Sequence, residues 1–201
     1  MSRKVILYIA MSLDGYLADS QGGVNWLTGH DPNYPGDLGY ARFLKQVDTV
    51  IMGYRTYHQV TTQLSPDQWV YEGLNTYVLT HRTYPPSRPD ISFFQGEASS
   101  LLAQLQRTPG RGIWICGGSD VVRQLVEADL IEEYQISIIP TLLGSGIRLF
   151  PQGIPPLSLR LMSQQAENGI LTAVYARTEM SPRPLMLPAP TVLPLAPSPF
   201  L

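Results

Sequence analysis

Residues 115–140 read "ICGGSDVVRQLVEADLIEEYQISIIP" and set two adjacent glycines between an apolar run and a helix-like segment. The run before the glycines is typical of a buried strand, and residues 119–128 repeat apolar side chains at helical spacing. A second apolar run over 131–139 follows at once, which makes the order strand, helix, strand. This order favours an α/β fold in which neighbouring strands are parallel.

The same alternation extends through most of the chain. Short runs rich in Val, Ile, Leu, Tyr and Thr alternate with segments that carry apolar residues at helical spacing. The predicted strands are residues 4–11, 49–52, 75–80, 112–116 and 131–139. The predicted helices are residues 37–47, 97–106 and 119–128. The pattern predicts an α/β protein with a largely parallel sheet.

The last third of the sequence has a different character. Residues 157–166 and 170–178 flank an Asn-Gly pair that favours a tight hairpin turn, so two antiparallel strands are predicted to close a domain over 1–180. Residues 181–201 contain seven prolines, which exclude a helix or an inner strand. We predict an extended or disordered tail there, and docking along an apolar groove is the alternative.

Composition limits the classes of partner. The chain has 14 basic and 16 acidic side chains and its longest basic run is Arg3-Lys4, so neither nucleic acid nor a membrane surface is an expected partner. The single cysteine, Cys116, cannot form an internal disulfide, which fits a reducing, cytoplasmic setting. No basic residue adjoins Cys116 in sequence, so a buried structural thiol is favoured over a reactive one.

The paired glycines, Gly117 and Gly118, allow two interpretations. At a strand-to-helix junction the free amide groups and the helix dipole attract an anion, and glycine lets that anion approach the backbone closely. A tight turn without a ligand is the alternative. Ser119 or Asp120 is the predicted N-cap of the helix that follows.

Two other predicted strands end in similar chemistry. The side chains that follow the strand ends at residues 53 and 80 are Arg55, Thr56, His81 and Arg82. Parallel strands bring their carboxyl ends to one edge of a sheet, which is where open α/β sheets bind ligands. We therefore predict one site for an elongated polyanion, and a solvated loop is the alternative for His81 and Arg82.

Four stretches together resemble the dihydrofolate-reductase-like superfamily. They are "AMSLDGYLA" (10–18), "VDTVIMGYRTY" (47–57), "ICGGSDVVRQLVEADLIEEYQISIIPTLLGSGIRLF" (115–150) and the closing hairpin. The resemblance is greatest to standalone members and to the reductase domain of the bifunctional riboflavin-biosynthesis deaminase-reductase. It implies a dihydrofolate-reductase-like fold with a mixed, mainly parallel sheet of about eight strands and flanking helices. It also implies NADPH as the hydride donor and assembly as a homodimer.

The resemblance also implies which residues contact the cofactor. Ala10 and Leu17 would flank the nicotinamide through backbone contacts. Gly53, Arg55 and Thr56 would open the helix that meets the cofactor phosphates. The adenosine ribose and its 2′-phosphate would lie near Thr80, His81 and Arg82. The pyrophosphate would lie on Gly117, Gly118, Ser119, Asp120 and Val121.

One departure from the superfamily affects the choice of cofactor. Its members commonly carry arginine directly after the glycine of the second stretch, whereas this chain has Tyr54 there and Arg55 one place later. A shift of one residue turns a helical side chain by about 100°. NADH therefore stays open as an alternative to NADPH.

The substrate side of the resemblance rests on three residues, namely Asp14, Trp26 and Asp37. Asp37 precedes "VIMG" by the distance at which dihydrofolate reductases carry the acid that holds the pterin, so it is also the candidate catalytic residue. A carboxylate can accept a bidentate pair from an aminopyrimidine and favour protonation of a C=N bond. The alternative is that Asp37 caps its helix.

We therefore expect a cytoplasmic NADPH-dependent oxidoreductase with a small-molecule substrate. That substrate would be pterin-like or an aminopyrimidine of the 5-amino-6-(5-phosphoribosylamino)uracil type. A non-catalytic nucleotide-binding or dimeric interaction module on the same fold is the alternative. No metal site is expected, because His30 and His58 lack the spacing of metal ligands.

Overall fold

The computed structural model describes residues 3–85 and 87–178, so the predicted tail over 181–201 lies outside the described residues. The strands are β1 (Val5–Ser12), β2 (Tyr16–Ala18), β3 (Val47–Gly53), β4 (Asn75–Thr80), β5 (Ile91–Gln95), β6 (Gly112–Gly117), β7 (Glu133–Ile139), β8 (Ile147–Arg148), β9 (Leu159–Glu167) and β10 (Ile170–Arg177). The helices are α1 (Tyr40–Leu44), α2 (Tyr54–Gln59), α3 (Ala98–Leu105) and α4 (Ser119–Glu127). A π-helical turn, Val60–Leu64, continues α2.

Eight of the strands form one sheet in the order β5-β4-β3-β6-β1-β7-β10-β9. The first six strands in this order, β5, β4, β3, β6, β1 and β7, are parallel to one another, and β10 is antiparallel to both of its neighbours. The turn between β9 and β10 is made by Asn168 and Gly169, both at positive φ. The predicted mixed, mainly parallel sheet with a C-terminal antiparallel hairpin is confirmed.

The two faces of the sheet carry different cores. On β1, Val5 and Leu7 point to one face and pack in the cluster that includes the apolar side chains of α3 and α4. Ile6 and Tyr8 point to the other face, into a cluster rich in aromatic rings. This alternation follows from the two-residue period of a strand. Helices α3 and α4 cover the first face, and α1, α2 and the π-helical turn pack on the second.

Some predicted elements differ from the structure. The helix predicted over 37–47 spans only Tyr40–Leu44, because Leu38 and Gly39 have φ of 53° and 84° and interrupt helical geometry. Strand β5 (Ile91–Gln95) was not predicted, and neither was the short pair β2 and β8. Across the described residues, every helix falls short of the length and apolar character that a membrane crossing needs.

Arg3 is a buried charge two residues before β1. Only 6% of its surface is exposed, and its guanidinium pairs with Asp48 and donates to the Thr49 hydroxyl at 2.6 Å. It also donates to the carbonyl oxygen of Arg111 at 2.8 Å. Burial opposes ionisation of Asp48, but the Arg111 amide, the Thr49 hydroxyl and Arg3 outweigh it and lower the pKa of that carboxyl. Arg3 thus ties β1 to β3 and to the loop before β6.

Candidate active site

A cleft of about 1100 Å³, called the main cleft below, opens at the carboxyl ends of β1, β3 and β6. Its walls include residues 8–10 of β1, residues 17–25 after the first turn, and residues 116–119 at the start of α4. Side chains from α2 and its π-helical turn complete the rim. Because these three strands are parallel neighbours, their ends converge at the position where α/β sheets bind ligands.

The glycine pair lies on the wall of the main cleft. Gly117 has φ of 137° and Gly118 has φ of 83°, conformations that L side chains rarely adopt. Gly118 is itself the N-cap of α4, and within the described residues no side chain caps that helix. The predicted capping by Ser119 or Asp120 is therefore wrong. Asp120 instead accepts from Arg123 and Gln124 one turn further along α4.

The space beside Gly118 is small and is bordered by α2. A methyl group placed on Gly118 would lie 3.5 Å from the Thr56 hydroxyl and 3.7 Å from the amide nitrogen of Gly53. A methyl group placed on Gly53 would lie 3.5 Å from a methyl group of Val121. The backbone at Gly118 thus faces a hydroxyl and an amide across a gap that a side chain would fill. Such a cradle, at the start of the nine-residue helix α4, fits a phosphate group.

Two cations lie on the rim of the main cleft. Arg55 on α2 and Arg82 after β4 both line it, and both side chains are exposed. Neither forms a salt bridge with a residue of 3–85 or 87–178. Tyr54 and Tyr84 also line the main cleft, and their rings stack with centroids 4.4 Å apart. The rim therefore offers positive charge and flat aromatic surface beside the cradle.

The structure brings together part of the predicted cofactor set. The residues that line the main cleft are Ala10, Leu17, Arg55, Thr56, Arg82, Gly117, Gly118 and Ser119. The others, which lie outside its lining, are Gly53, Thr80, His81, Asp120 and Val121. Thr80 is buried and its hydroxyl accepts from the Arg82 amide at 3.1 Å, while Val121 packs in the core under α4. Gly53 borders the Gly118 gap through its backbone.

Asp37 lies outside the main cleft and is exposed. Its two carboxylate oxygens accept from the amides of Gly39 and Ala41, each at 2.9 Å, at the start of α1. These amides lower the pKa of Asp37, which keeps the carboxylate ionised. The structure therefore shows the capping contacts that were one of the two predicted alternatives. The catalytic role of Asp37 stays a prediction without support from the geometry.

The sequence was compared with known protein families, and the RibD C-terminal domain matches residues 3–171. The chain belongs to that family. The uncharacterised Bacillus subtilis protein YwjB is 38% identical over 177 residues, covering 88% of this chain and 99% of YwjB. YyaP of the same organism is 27% identical, covering 86% of this chain and 94% of YyaP. The predicted relation to riboflavin-type reductases is confirmed.

Solved structures agree with this membership of the RibD C-terminal domain family. A Shewanella protein named for riboflavin biosynthesis is 27% identical in sequence and superposes with a TM-score of 0.72. The match covers 89% of this chain and 100% of the Shewanella chain. The bifunctional deaminase/5-amino-6-(5-phosphoribosylamino)uracil reductase of Thermotoga maritima superposes with a TM-score of 0.63 at 17% sequence identity. That match covers 88% of this chain and 57% of the Thermotoga chain. Enterococcus faecalis dihydrofolate reductase, complexed with NADP(H), superposes with a TM-score of 0.64 at 16% sequence identity. That match covers 89% of this chain and 100% of the reductase chain. The dihydrofolate-reductase-like fold is confirmed.

In this member of the RibD C-terminal domain family, Asp14 joins two loops. Its carboxylate accepts from the Ser12 hydroxyl at 2.6 Å and from the Gly144 and Leu143 amides at 2.7 and 3.1 Å. The Ser12 hydroxyl and the two amides outweigh partial desolvation and lower the pKa of Asp14 to about 2. Trp26 donates to the carbonyl oxygen of Gly23 at 3.2 Å. Like Asp37, the predicted substrate residues Asp14 and Trp26 lie outside the lining of the main cleft.

The acid stability of the protein is expected to depend on Asp14. Its pKa is depressed from 3.8 to about 2 on folding, so its contribution to stability is present above pH 3.8 and is lost as pH falls through 2. We expect Asp14→Asn to lower the melting temperature at pH 6, and the difference from wild type to shrink towards pH 2. Circular dichroism melts across this range measure the difference. A difference that stays constant down to pH 2 would contradict the assigned contacts.

The aromatic floor of the main cleft was missed by sequence reasoning. Tyr8, Tyr71, Trp114 and Cys116 all line it, and the Trp114 ring lies 5.8 Å from Tyr8 and 5.3 Å from Tyr71. Because successive side chains of a strand point to opposite faces of the sheet, the sequence could have placed Trp114 and Cys116 on this face and Ile115 on the other. Burial raises the pKa of the Cys116 thiol to about 11, which agrees with an unreactive thiol. His58, which sequence reasoning had no basis to place at a site, also lines the cleft.

Proposed function

We propose that the protein is a nicotinamide-dependent reductase, preferring NADPH, that acts on a pterin-like or aminopyrimidine ring. The observation that carries the proposal is the backbone of Gly117 and Gly118, held at positive φ on the wall of the main cleft. The Thr56 hydroxyl borders that backbone, and Arg55 and Arg82 line the same cleft without a salt bridge to any described residue. The membership of the RibD C-terminal domain family supports a reductase-type activity.

The residues of the chain would bind and orient rather than react. The amides at the start of α4 would hold the pyrophosphate, and Arg55 and Arg82 would neutralise the remaining phosphate charge. Ala10 and Leu17 also line the main cleft, and there they would position the nicotinamide ring over the aromatic floor. The bound cofactor supplies the hydride. Holding the two reacting rings in contact is then the main contribution of the protein.

A two-step experiment tests the proposal. NADPH is first titrated while the tryptophan fluorescence is followed, because Trp114 lies on the cleft floor. NADPH absorbance is then followed with dihydrofolate or with 5-amino-6-(5-phosphoribosylamino)uracil as the acceptor. Binding with oxidation supports the reductase. Binding without oxidation by either acceptor favours the nucleotide-binding module, and failure of NADPH to bind contradicts both.

The choice between NADPH and NADH is expected to depend on Arg82. Arg82→Ala should weaken NADPH binding at least about tenfold, since a hydrogen bond to a charged group contributes about 1.5–3 kcal/mol. NADH binding should change little, because NADH lacks the 2′-phosphate. Fluorescence titration with both cofactors gives the two dissociation constants, and Arg160→Ala on β9, outside the main cleft, is the matched control. An equal loss for both cofactors would remove Arg82 from the 2′-phosphate site.

A further inference from the structure

A tyrosine hydroxyl is fixed in place on the floor of the main cleft. Tyr71 lies in the loop between the π-helical turn and β4, and its ring meets two tryptophans edge-on. The centroid distances are 5.1 Å to Trp69 and 5.3 Å to Trp114, with interplanar angles of 68° and 69°. Trp69 is itself 9% exposed, so it anchors the loop in the core. The direction of the Tyr71 hydroxyl is therefore set by packing.

The partner of this hydroxyl is a weak one. Among the described residues, the Tyr71 hydroxyl has one hydrogen-bond partner, the Cys116 sulfur at 3.3 Å. A thiol is a poor donor and a poor acceptor, so most of the hydrogen-bonding capacity of the hydroxyl stays unused. A polar group that is largely withdrawn from water gains from any better partner that enters the cleft. Burial, followed by the proximity of Cys116, raises the pKa of Tyr71, so the hydroxyl keeps its proton.

The hydroxyl also lies next to the predicted cofactor cradle. Its partner Cys116 directly precedes Gly117, at the carboxyl end of β6. The one carboxylate on the described wall of the main cleft is Asp19. One of its oxygens already accepts from the amides of Gln21 and Gly23, each at 2.8 Å, within its own loop. The floor beside the cradle thus presents a neutral hydroxyl rather than a carboxylate.

We propose that the Tyr71 hydroxyl donates a hydrogen bond to the heteroatom of the double bond that is reduced. The inference rests on the proposed nicotinamide-dependent function. As hydride adds, a C–H bond forms at the ring carbon, the π bond breaks and its electron pair moves to the nitrogen or oxygen. That atom then takes a proton from solvent. Tyr71 keeps its own proton and stabilises the charge that develops, as donors at other such sites do.

Binding of lumazine, a flat ring with lactam and imine heteroatoms, provides the test. Tyr71→Phe keeps the ring between the two tryptophans and removes only the hydroxyl. We expect the dissociation constant of lumazine, measured calorimetrically on NADP⁺-saturated protein, to rise about tenfold, as for loss of one hydrogen bond. Oxidation of NADPH by whichever acceptor the wild type reduces should slow about a hundredfold. NADPH affinity should stay within about twofold, since a twofold change is below 0.5 kcal/mol.

Tyr57→Phe is the matched control, because Tyr57 also packs against Trp69 but its hydroxyl bonds Ser87 outside the cleft. It should bind lumazine as the wild type does. If lumazine does not bind the wild type, or binds Tyr71→Phe equally well, the inference is overturned. Those results would leave the proposed function intact as long as NADPH binds and is oxidised. Failure of NADPH to bind the wild type would instead overturn the proposed function.

Discussion

Gly118→Val is expected to weaken NADPH binding by at least about a hundredfold, which corresponds to about 2.7 kcal/mol. The Cβ of any side chain at this position would already lie in contact with the Thr56 hydroxyl, 3.5 Å away, and would fill the gap. A β-branched residue would therefore prevent a phosphate from approaching the backbone amides at the start of α4. Fluorescence titration of the purified variant with NADPH measures the loss.

Gly73→Val separates this effect from backbone strain. Gly73 has φ of 83°, as Gly118 does, but a methyl group built on it meets no atom within 4 Å. Both variants place valine in a conformation that L residues disfavour, at a cost of about 1–3 kcal/mol in stability. We expect similar losses of melting temperature and an NADPH affinity that falls only in Gly118→Val. If Gly118→Val binds NADPH as the wild type does, the glycine pair is not the cofactor cradle.

Arg3→Ala is expected to lower the free energy of unfolding by about 3–5 kcal/mol, a large part of the stability of one domain. The substitution leaves Asp48 without its charged partner and removes the donors to the Thr49 hydroxyl and the Arg111 carbonyl. Breaking a buried pair from one side is more harmful than losing an exposed one, because the remaining charge cannot be fully hydrated. Urea denaturation followed by circular dichroism gives the free energy.

The Arg88–Asp90 pair supplies the comparison. Its N–O distance is 2.9 Å, but the Arg88 side chain is 40% exposed. Solvent screens such a pair, so Arg88→Ala should leave the urea midpoint unchanged within experimental error. A loss in Arg88→Ala as large as that in Arg3→Ala would show that burial does not set the strength of these two pairs.

Local backbone chemistry explains why the cradle could be predicted from the sequence. Two adjacent glycines between a buried run and an amphipathic helix require a special backbone, and Gly117 and Gly118 do have positive φ. The parallel order of strands then placed Arg55 and Arg82 on the same rim, because strand polarity fixes which ends converge. These inferences needed only periodicity and topology.

Side-chain direction in loops could not be predicted in the same way. Asp37 lies at the expected distance before β3. However, the positive φ of Leu38 and Gly39 shortens α1, and the Asp37 carboxylate accepts hydrogen bonds from nearby backbone amides outside the cleft. Tyr71 follows no periodic pattern, and its position depends on two tryptophans distant from each other in sequence. Tertiary packing of this kind leaves no signal in the spacing of residues along the sequence.

The central place of β1 in the sheet has a consequence for synthesis of the chain. Both of its neighbours are late strands, since Val5 pairs with Ile113 and Ile6 pairs with Glu133. Translation runs from the amino to the carboxyl end, so β1 is made before the other described strands, and its first described neighbour, β6, follows about a hundred residues later. Such long sequence separations raise the contact order and slow folding. The strand that carries Tyr8 and Ala10 is therefore made before both of its neighbours, and its enclosure waits for β6 and β7.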